Sequence, residues 1–184
     1  AMQSYVGLSK LSPGSNGKFG PCLYSADAPT TRSWVITRMA TSIDLAVDTS
    51  ALTAILLGEP EALDLLKTLA ASKYPDICAA NRTELLIVMQ ARLGDPGAER
   101  ARSFLQTQGI QTVPLDEGLA DGAVDAYRCF GKGRHPAGLN FGDCFAYALA
   151  QHAHVPLLFK GDDFSRTDAR LVTPPTASQD RPSG

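Results

Sequence analysis

Apolar and polar positions switch repeatedly between two periods along the middle of the chain. Ile43 to Val47 (IDLAV) is a short apolar run that predicts a buried strand, and Ser50 to Leu57 (SALTAILL) begins a helix that Gly58 and Pro60 stop. Glu61 to Ser72 follows as a second helix, with Leu63, Leu66 and Leu69 on one stripe. Asp76 to Ala79 reads as a strand, and Asn81 to Leu93 (NRTELLIVMQARL) as a helix ended by Gly94. Ala98 to Gln108 predicts a helix, Ile110 to Pro114 a strand, and Gly118 to Phe130 another helix. A turn-rich loop, GKGRHPAGLNFG, leads into an Ala-rich helix from Asp143 to His152. Val155 to Phe159 (VPLLF) predicts a strand and Ala169 to Val172 a last one. Strands separated by helices argue for crossover units and a parallel sheet covered on both faces. The expected class is α/β, a three-layer α/β/α sandwich with a central parallel sheet.

The ends of the chain lack this organisation. Residues 1–38 are rich in Gly, Ser and Pro and hold no sustained period, which predicts a disordered extension. The folded domain is expected over 39–173, beginning at Met39, with the upstream part an added segment or an alternative start. A native terminus near Ala1, found by mass spectrometry, would remove that idea. Residues 174–184 are low in apolar side chains and read as a disordered tail.

Composition then narrows the class. With 184 residues, 44% of them hydrophobic and 20% charged, the chain suits one globular domain with spare length. A net charge of -2 excludes a protein held to nucleic acid by bulk charge. The charge is uneven. Residues 1–38 carry Lys10, Lys18, Arg32 and Arg38 against Asp27, a balance of +3, whereas 39–173 carry 12 bases against 17 acids, a balance of -5. Cys22, Cys78, Cys129 and Cys144 form no CxxC pair and no zinc spacing, and read as small buried residues of a reducing compartment. No apolar run approaches the roughly 20 residues of a membrane span, and no signal-peptide order opens the chain. A soluble, cytoplasmic protein is expected.

Ligands of such sheets gather where strands hand over to helices. Asp48 follows IDLAV directly and would serve equally as a helix N-cap. Asn81-Arg82-Thr83-Glu84 has capping-box spacing, and taken alone that box explains Glu84 better than chemistry does. Asp143 opens the helix DCFAYALAQH and could be a cap. Asp162 and Asp163 lie in KGDDF, where adjacent acids are usually turn formers. Phe164 beside them suggests a turn pinned to the core. Three or four carboxylates at one edge of one sheet exceed what capping requires. Their mutual repulsion is costly unless a cation neutralises it. Carboxylates without His or Cys suit Mg²⁺ or Mn²⁺ rather than zinc, and phosphodiester hydrolysis is the natural chemistry of such a centre.

Four segments carry a resemblance to a known family. VDTSAL (Val47 to Leu52), TELL within NRTELLIVMQARLG, HPAGLNFGDCFAYALA (His135 to Ala150) and LLFKGDDFSRTD (Leu157 to Asp168) resemble, in order and spacing, the PIN-domain ribonucleases. Within that family they are similar to the VapC-type toxins of toxin-antitoxin pairs. The resemblance covers about 39–173 and implies that Asp48, Glu84, Asp143 and Asp163 are the metal-binding, catalytic acids. Asp162 is the alternative to Asp163, which is preferred because it stands directly before the Phe. Thr49 or Ser50 resembles the family's hydroxyl near the metal, with a helix cap as an equal reading. Asn140 reads as a loop-ordering residue. The resemblance further implies a Mg²⁺- or Mn²⁺-dependent endoribonuclease in which water attacks the scissile phosphate in line. A cognate VapB-type antitoxin lying across the groove, a homodimer and an RNA substrate are implied as well. Lys132, Arg134, Lys160 and Ser50 are candidate substrate-binding residues, and solvated surface is the plain reading of the three bases. His135, His152 and His154 read as loop or surface residues.

Other classes weigh less. A non-catalytic binding module of the same fold would lack one of the four acids, and all are present. A non-toxin RNA-processing nuclease would share the whole site. An aspartyl phosphatase would want an acid at position 50, which is Ser. DNA cleavage would use the same centre.

Overall fold

The computed structural model describes residues 43–172. Expectations for residues 1–38 and for 174–184 fall outside them. Four strands, β1 (Leu45–Val47), β2 (Pro75–Cys78), β3 (Gln111–Val113) and β4 (Leu157–Leu158), form one sheet in the order β3-β2-β1-β4. All three pairings are parallel, with Leu45 opposite Pro75, Ala46 opposite Leu157 and Asp76 opposite Gln111. Six helices accompany the sheet among the described residues: α1 (Thr49–Leu57), α2 (Ala62–Ala71), α3 (Ala79–Leu93), α4 (Asp95–Thr107), α5 (Glu117–Phe130) and α6 (Phe141–Ala153).

Successive strand residues face opposite sides, and the two cores follow that alternation. Ala46, Cys78, Val113 and Leu157 pack with α5 and α6, whose Leu119, Ala126, Tyr147 and Ala148 are buried. Leu45, Val47, Ile77 and Leu158 face the other way, into Leu52, Leu65, Leu85 and Leu105 of α1 to α4. Both faces are therefore covered, as the continuous apolar strands require. The expected three-layer α/β/α sandwich with a parallel sheet is what forms.

Several details differ from the sequence pattern. The buried stripe of α2 is Leu65, Thr68 and Leu69, while Leu63 is 63% exposed. The strand expected over Val155 to Phe159 shortens to β4, and Ala169 to Val172 contributes one bridge, Leu157 to Leu171, instead of a strand. Cys78 and Cys144 are free and buried, as expected of small core residues, whereas Cys129 is disulfide-bonded and departs from that reading. No helix among the described residues is long and apolar enough to cross a membrane.

The order of the strands positions the chemistry. Leaving β1, the chain crosses to β2 on one side, while β4 lies on the other. The crevice beyond the carboxyl ends of β1 and its neighbours is where such sheets bind ligands.

Candidate active site

Asp48 is the first residue beyond β1 and caps α1. Its Oδ2 accepts from the Ser50 amide at 2.9 Å and from Ser50 Oγ at 2.6 Å. The side chain is 2% exposed. Burial pushes its carboxyl above the ordinary range and the Glu84 charge adds to this, against the two bonds from Ser50. Ser50 serves a second element, because its Oγ accepts from the Lys160 amide at 2.9 Å. One hydroxyl thus joins the end of β1 to the segment after β4.

Glu84 lies in the second turn of α3. The capping box expected for Asn81 and Glu84 does not form, since α3 begins at Ala79 with Cys78 as its cap and no capping side-chain bond. Asn81 is instead fully buried inside the helix. Glu84 turns toward α1, where Thr49 Oγ1 donates to its Oε2 at 2.6 Å. The carboxylate also lies against Gly142 of α6. A Cβ on that glycine would sit 2.5 Å from Glu84 Oε2, so only glycine admits the acid there.

Asp143 belongs to the first turn of α6. A capping box does form here: Asp143 Oδ2 accepts from the Asn140 amide at 2.8 Å, and Asn140 Oδ1 accepts from the Asp143 amide at 3.0 Å. The helix expected to start at Asp143 therefore starts at Phe141, and Asn140 is its cap. Asp143 is 8% exposed. Burial, followed by the charges of Asp48, Asp163 and Glu84, raises its carboxyl to about 6, with the Asn140 bond acting in opposition. Asp48, Asp163 and Glu84 thus all act on Asp143.

Asp163 opens a 3₁₀ turn, Asp163–Arg166, and is exposed. Phe164 is buried and meets Phe159 edge-on at 5.0 Å, so the turn is pinned to the core as its aromatic neighbour suggested. Asp162 is exposed as well, and its carbonyl accepts from the Ser165 amide. Asp163 is among the charges that raise Asp143.

The remaining candidates are placed differently from one another. Lys160 Nζ pairs with Glu59 and, at 3.2 Å, with Glu61, and these partners raise its pKa. Its side chain is committed to acids near the start of α2. Lys132 and Arg134 are exposed in the loop between α5 and α6, with the Arg134 guanidinium 5.6 Å from the Tyr127 ring centre. His135 packs edge-on against Phe130 and accepts from the Ala137 amide, which is loop work. His154 closes α6 in a left-handed conformation, and His152 lies in the last turn of that helix.

Every donor atom the acid cluster offers is a carboxylate oxygen, which suits a hard divalent cation. Cys144 beside Asp143 has its thiol pushed up to about 12 by burial, far from a thiolate ligand. Among the described residues no three Asp, Glu, His or Cys side chains converge tightly enough to hold one ion as they stand. The hydrogen bonds explain this: Asp48, Glu84 and Asp143 are each turned toward a protein donor.

Two contributors escape sequence reasoning. Gly142 passes for a loop residue, yet a glycine in the first turn of an Ala-rich helix signals a close approach. Asn81 passes for a cap, although it occupies the same buried stripe as Leu85 and Met89, where a polar side chain is out of place.

Comparison with known proteins identifies the family. The PIN domain family matches residues 45–170. The chain is 44% identical over 128 residues to a ribonuclease VapC of Mycolicibacterium smegmatis, covering 70% of this chain and 99% of that one. It is 42% identical over 131 residues to ribonuclease VapC30 of Mycobacterium tuberculosis, covering 71% and 100%. Among solved structures, the Mycobacterium tuberculosis toxin VapC20, described as cleaving the sarcin-ricin loop, superposes with a TM-score of 0.60 at 15% identity, covering 70% and 98%. A toxin-antitoxin complex from Klebsiella pneumoniae superposes at 0.55 with 20% identity, covering 71% and 97%. These two share the fold. With its acids at the sheet edge and its likeness to the VapC ribonucleases running the full length of those relatives, the chain belongs to the PIN-domain family, in its VapC-type branch.

Proposed function

We propose that this chain is an endoribonuclease toxin that hydrolyses RNA phosphodiester bonds with Mg²⁺ or Mn²⁺ and is neutralised by a cognate VapB-type antitoxin. One observation carries the reading: Asn81, Thr49 and Gly142 bring Asp48, Glu84 and the α6 start side by side, and the charges of Asp48, Asp163 and Glu84 all raise Asp143. Such a concentration of like charge is costly without a cation. Asp48, Glu84, Asp143 and Asp163 would hold the ion or ions. When bound, a divalent metal polarises the phosphate and activates water for in-line attack.

The chain's own part is orientation. Ser50 fixes Asp48 and ties it to the β4 exit, Thr49 holds Glu84, and the Asn140 amide holds Asp143. Lys132 and Arg134 would draw the phosphate backbone to an otherwise acidic domain. Lys160 is set aside from this task by its pairing with Glu59 and Glu61. Partner surfaces are at hand. A groove of about 620 Å³ between α3 and α4 sets Leu86, Ile87 and Pro96 beside Gln90, Glu99 and Arg102, and a smaller, apolar one between α5 and α6 is lined by Val124, Tyr127 and Phe141. A second copy and an antitoxin segment each need such apolar faces. Cellular RNA as substrate fits the expected cytoplasmic location.

Induced expression in a bacterial host tests the reading. Wild-type protein is expected to arrest growth with discrete cuts in cellular RNA, and Asp143→Asn to do neither. Equal arrest by both forms would refute it.

A further inference from the structure

The amide of Asn81 links three segments of the acid cluster. Its Nδ2 lies 3.0 Å from the carbonyl oxygen of Gly142, 3.2 Å from Asp48 Oδ1 and 3.4 Å from Thr49 Oγ1. An amide nitrogen carries two hydrogens, so the two shorter contacts are its main bonds. They run to Asp48, the first residue beyond β1, and to Gly142, which precedes Asp143. From the backbone side, the Asn81 carbonyl lies 3.2 Å from Thr49 Oγ1, the hydroxyl that holds Glu84. Asn81 itself stands one helical turn before Glu84 on α3. A single buried side chain therefore touches the supports of three acids.

The arrangement carries an evident penalty. Asn81 is fully buried, and its Oδ1 has no hydrogen-bond partner among the described residues. Leucine at this place would continue the stripe of Leu85 and Met89 and leave no orphaned acceptor. Packing alone thus argues against asparagine, and what the residue supplies is the donor end of its amide. Of the oxygens of Asp48, Oδ2 is held by Ser50, and Oδ1 is held by Asn81. Without Nδ2 the carboxylate keeps the Ser50 bonds on Oδ2 but loses its tether on Oδ1, and α6 loses the tie from Asn81 to the Gly142 carbonyl.

We propose that Asn81 is a positioning residue of the active site: its amide, with Ser50 on the other oxygen, sets the rotation of Asp48, and it sets the spacing of the α6 start, hence of Asp143, against Glu84. The role rests on the metal-dependent ribonuclease reading. Residues that orient metal-binding side chains typically cost 10- to 100-fold in metal affinity or activity when replaced.

The test measures Mn²⁺ binding directly, by titration calorimetry on the purified full chain, beside RNA cleavage and thermal melting. Asn81→Leu, which keeps the branching of the side chain with bulkier methyl groups and removes the donor, is expected to fold and to bind Mn²⁺ roughly 10- to 100-fold more weakly. Asn81→Ser, which keeps a shorter donor, is expected to fall between Leu and wild type. Thr53→Val is the control, because Thr53 Oγ1 is also buried and, having no hydrogen-bond partner, is bonded to none of the acids; its affinity should equal wild type. Wild-type Mn²⁺ affinity in either folded Asn81 variant would overturn the positioning role. Failure of both to fold would overturn it too, making the amide a folding element. Asp48→Asn separates the two levels: if it binds Mn²⁺ like wild type, the ribonuclease reading fails first, whereas loss in Asp48→Asn with normal binding in Asn81→Leu sinks only the present inference.

Discussion

Gly142→Ala separates the site from the fold more cleanly than removing any acid. A Cβ at 142 would meet Glu84 Oε2 at 2.5 Å, with Cδ and Oε1 each at 2.9 Å, and ordinary contact begins at 3.4 Å. The carboxylate must therefore retreat by about 0.9 Å. It is the far end of a flexible side chain, so the backbone need not move, and alanine gains up to about 1 kcal/mol over glycine in a helix. A displacement of about 1 Å in a catalytic constellation can cost about 100-fold. That factor is about 2.7 kcal/mol of transition-state stabilisation. The expected result is kcat/KM for a short single-stranded RNA reduced about 100-fold, with a melting temperature equal to or slightly above wild type. Initial-rate assays and calorimetric melts on the same preparation check both halves. Wild-type kcat/KM in Gly142→Ala would refute the placement of Glu84, and an activity loss matched by a lowered melting temperature would refute its separation from folding.

Further outcomes follow from the same geometry. For Asp143 the folded carboxyl sits near 6 against 3.8, so the metal-free protein loses stability as pH rises from about 4 to 6, by up to about 3 kcal/mol. Asp143→Asn keeps an acceptor for the Asn140 amide, so without metal it should melt higher than wild type at pH 7 and equally near pH 4; identical melts at both would contradict this. Asp163→Asn is expected to lower kcat at least 100-fold and Asp162→Asn less than 5-fold, by about the scale of single charge-stabilising groups; the reverse order would exchange the two acids. Lys132→Ala should raise KM for RNA and lower the salt slope of binding by about 1, whereas Lys160→Ala should leave that slope unchanged. An equal effect of both on the slope would return Lys160 to the substrate path.

Much of this is legible in the sequence, and the exceptions have a common cause. The alternation of Leu45, Ala46 and Val47 between two cores, and the turn from Val47 into Asp48, are local features of an apolar run meeting a cap. Asp48 caps α1 and also lies within reach of the Glu84 and Asp143 charges, so its two readings do not compete. Asn-x-x-Glu at 81 to 84 failed because i,i+3 spacing describes a capping box and two neighbours on a helix face equally well. Only the direct passage from β2 into α3 decides between them. The true box, Asn140 to Asp143, was hidden by Phe141 and Gly142, which lengthen α6 backward through residues that resemble a loop. Lys160 illustrates the remaining limit: its neighbours Glu59 and Glu61 are about a hundred positions away, and the sequence carries no sign of that contact.

The central claim is tested most directly by RNA cleavage with purified protein under controlled metal. Wild-type chain is expected to cut single-stranded RNA with Mg²⁺ or Mn²⁺ and to stop in chelator, while Asp48→Asn and Asp143→Asn remain folded and inactive with either ion. Cleavage that persists in chelator, or full activity in both variants, would contradict the account.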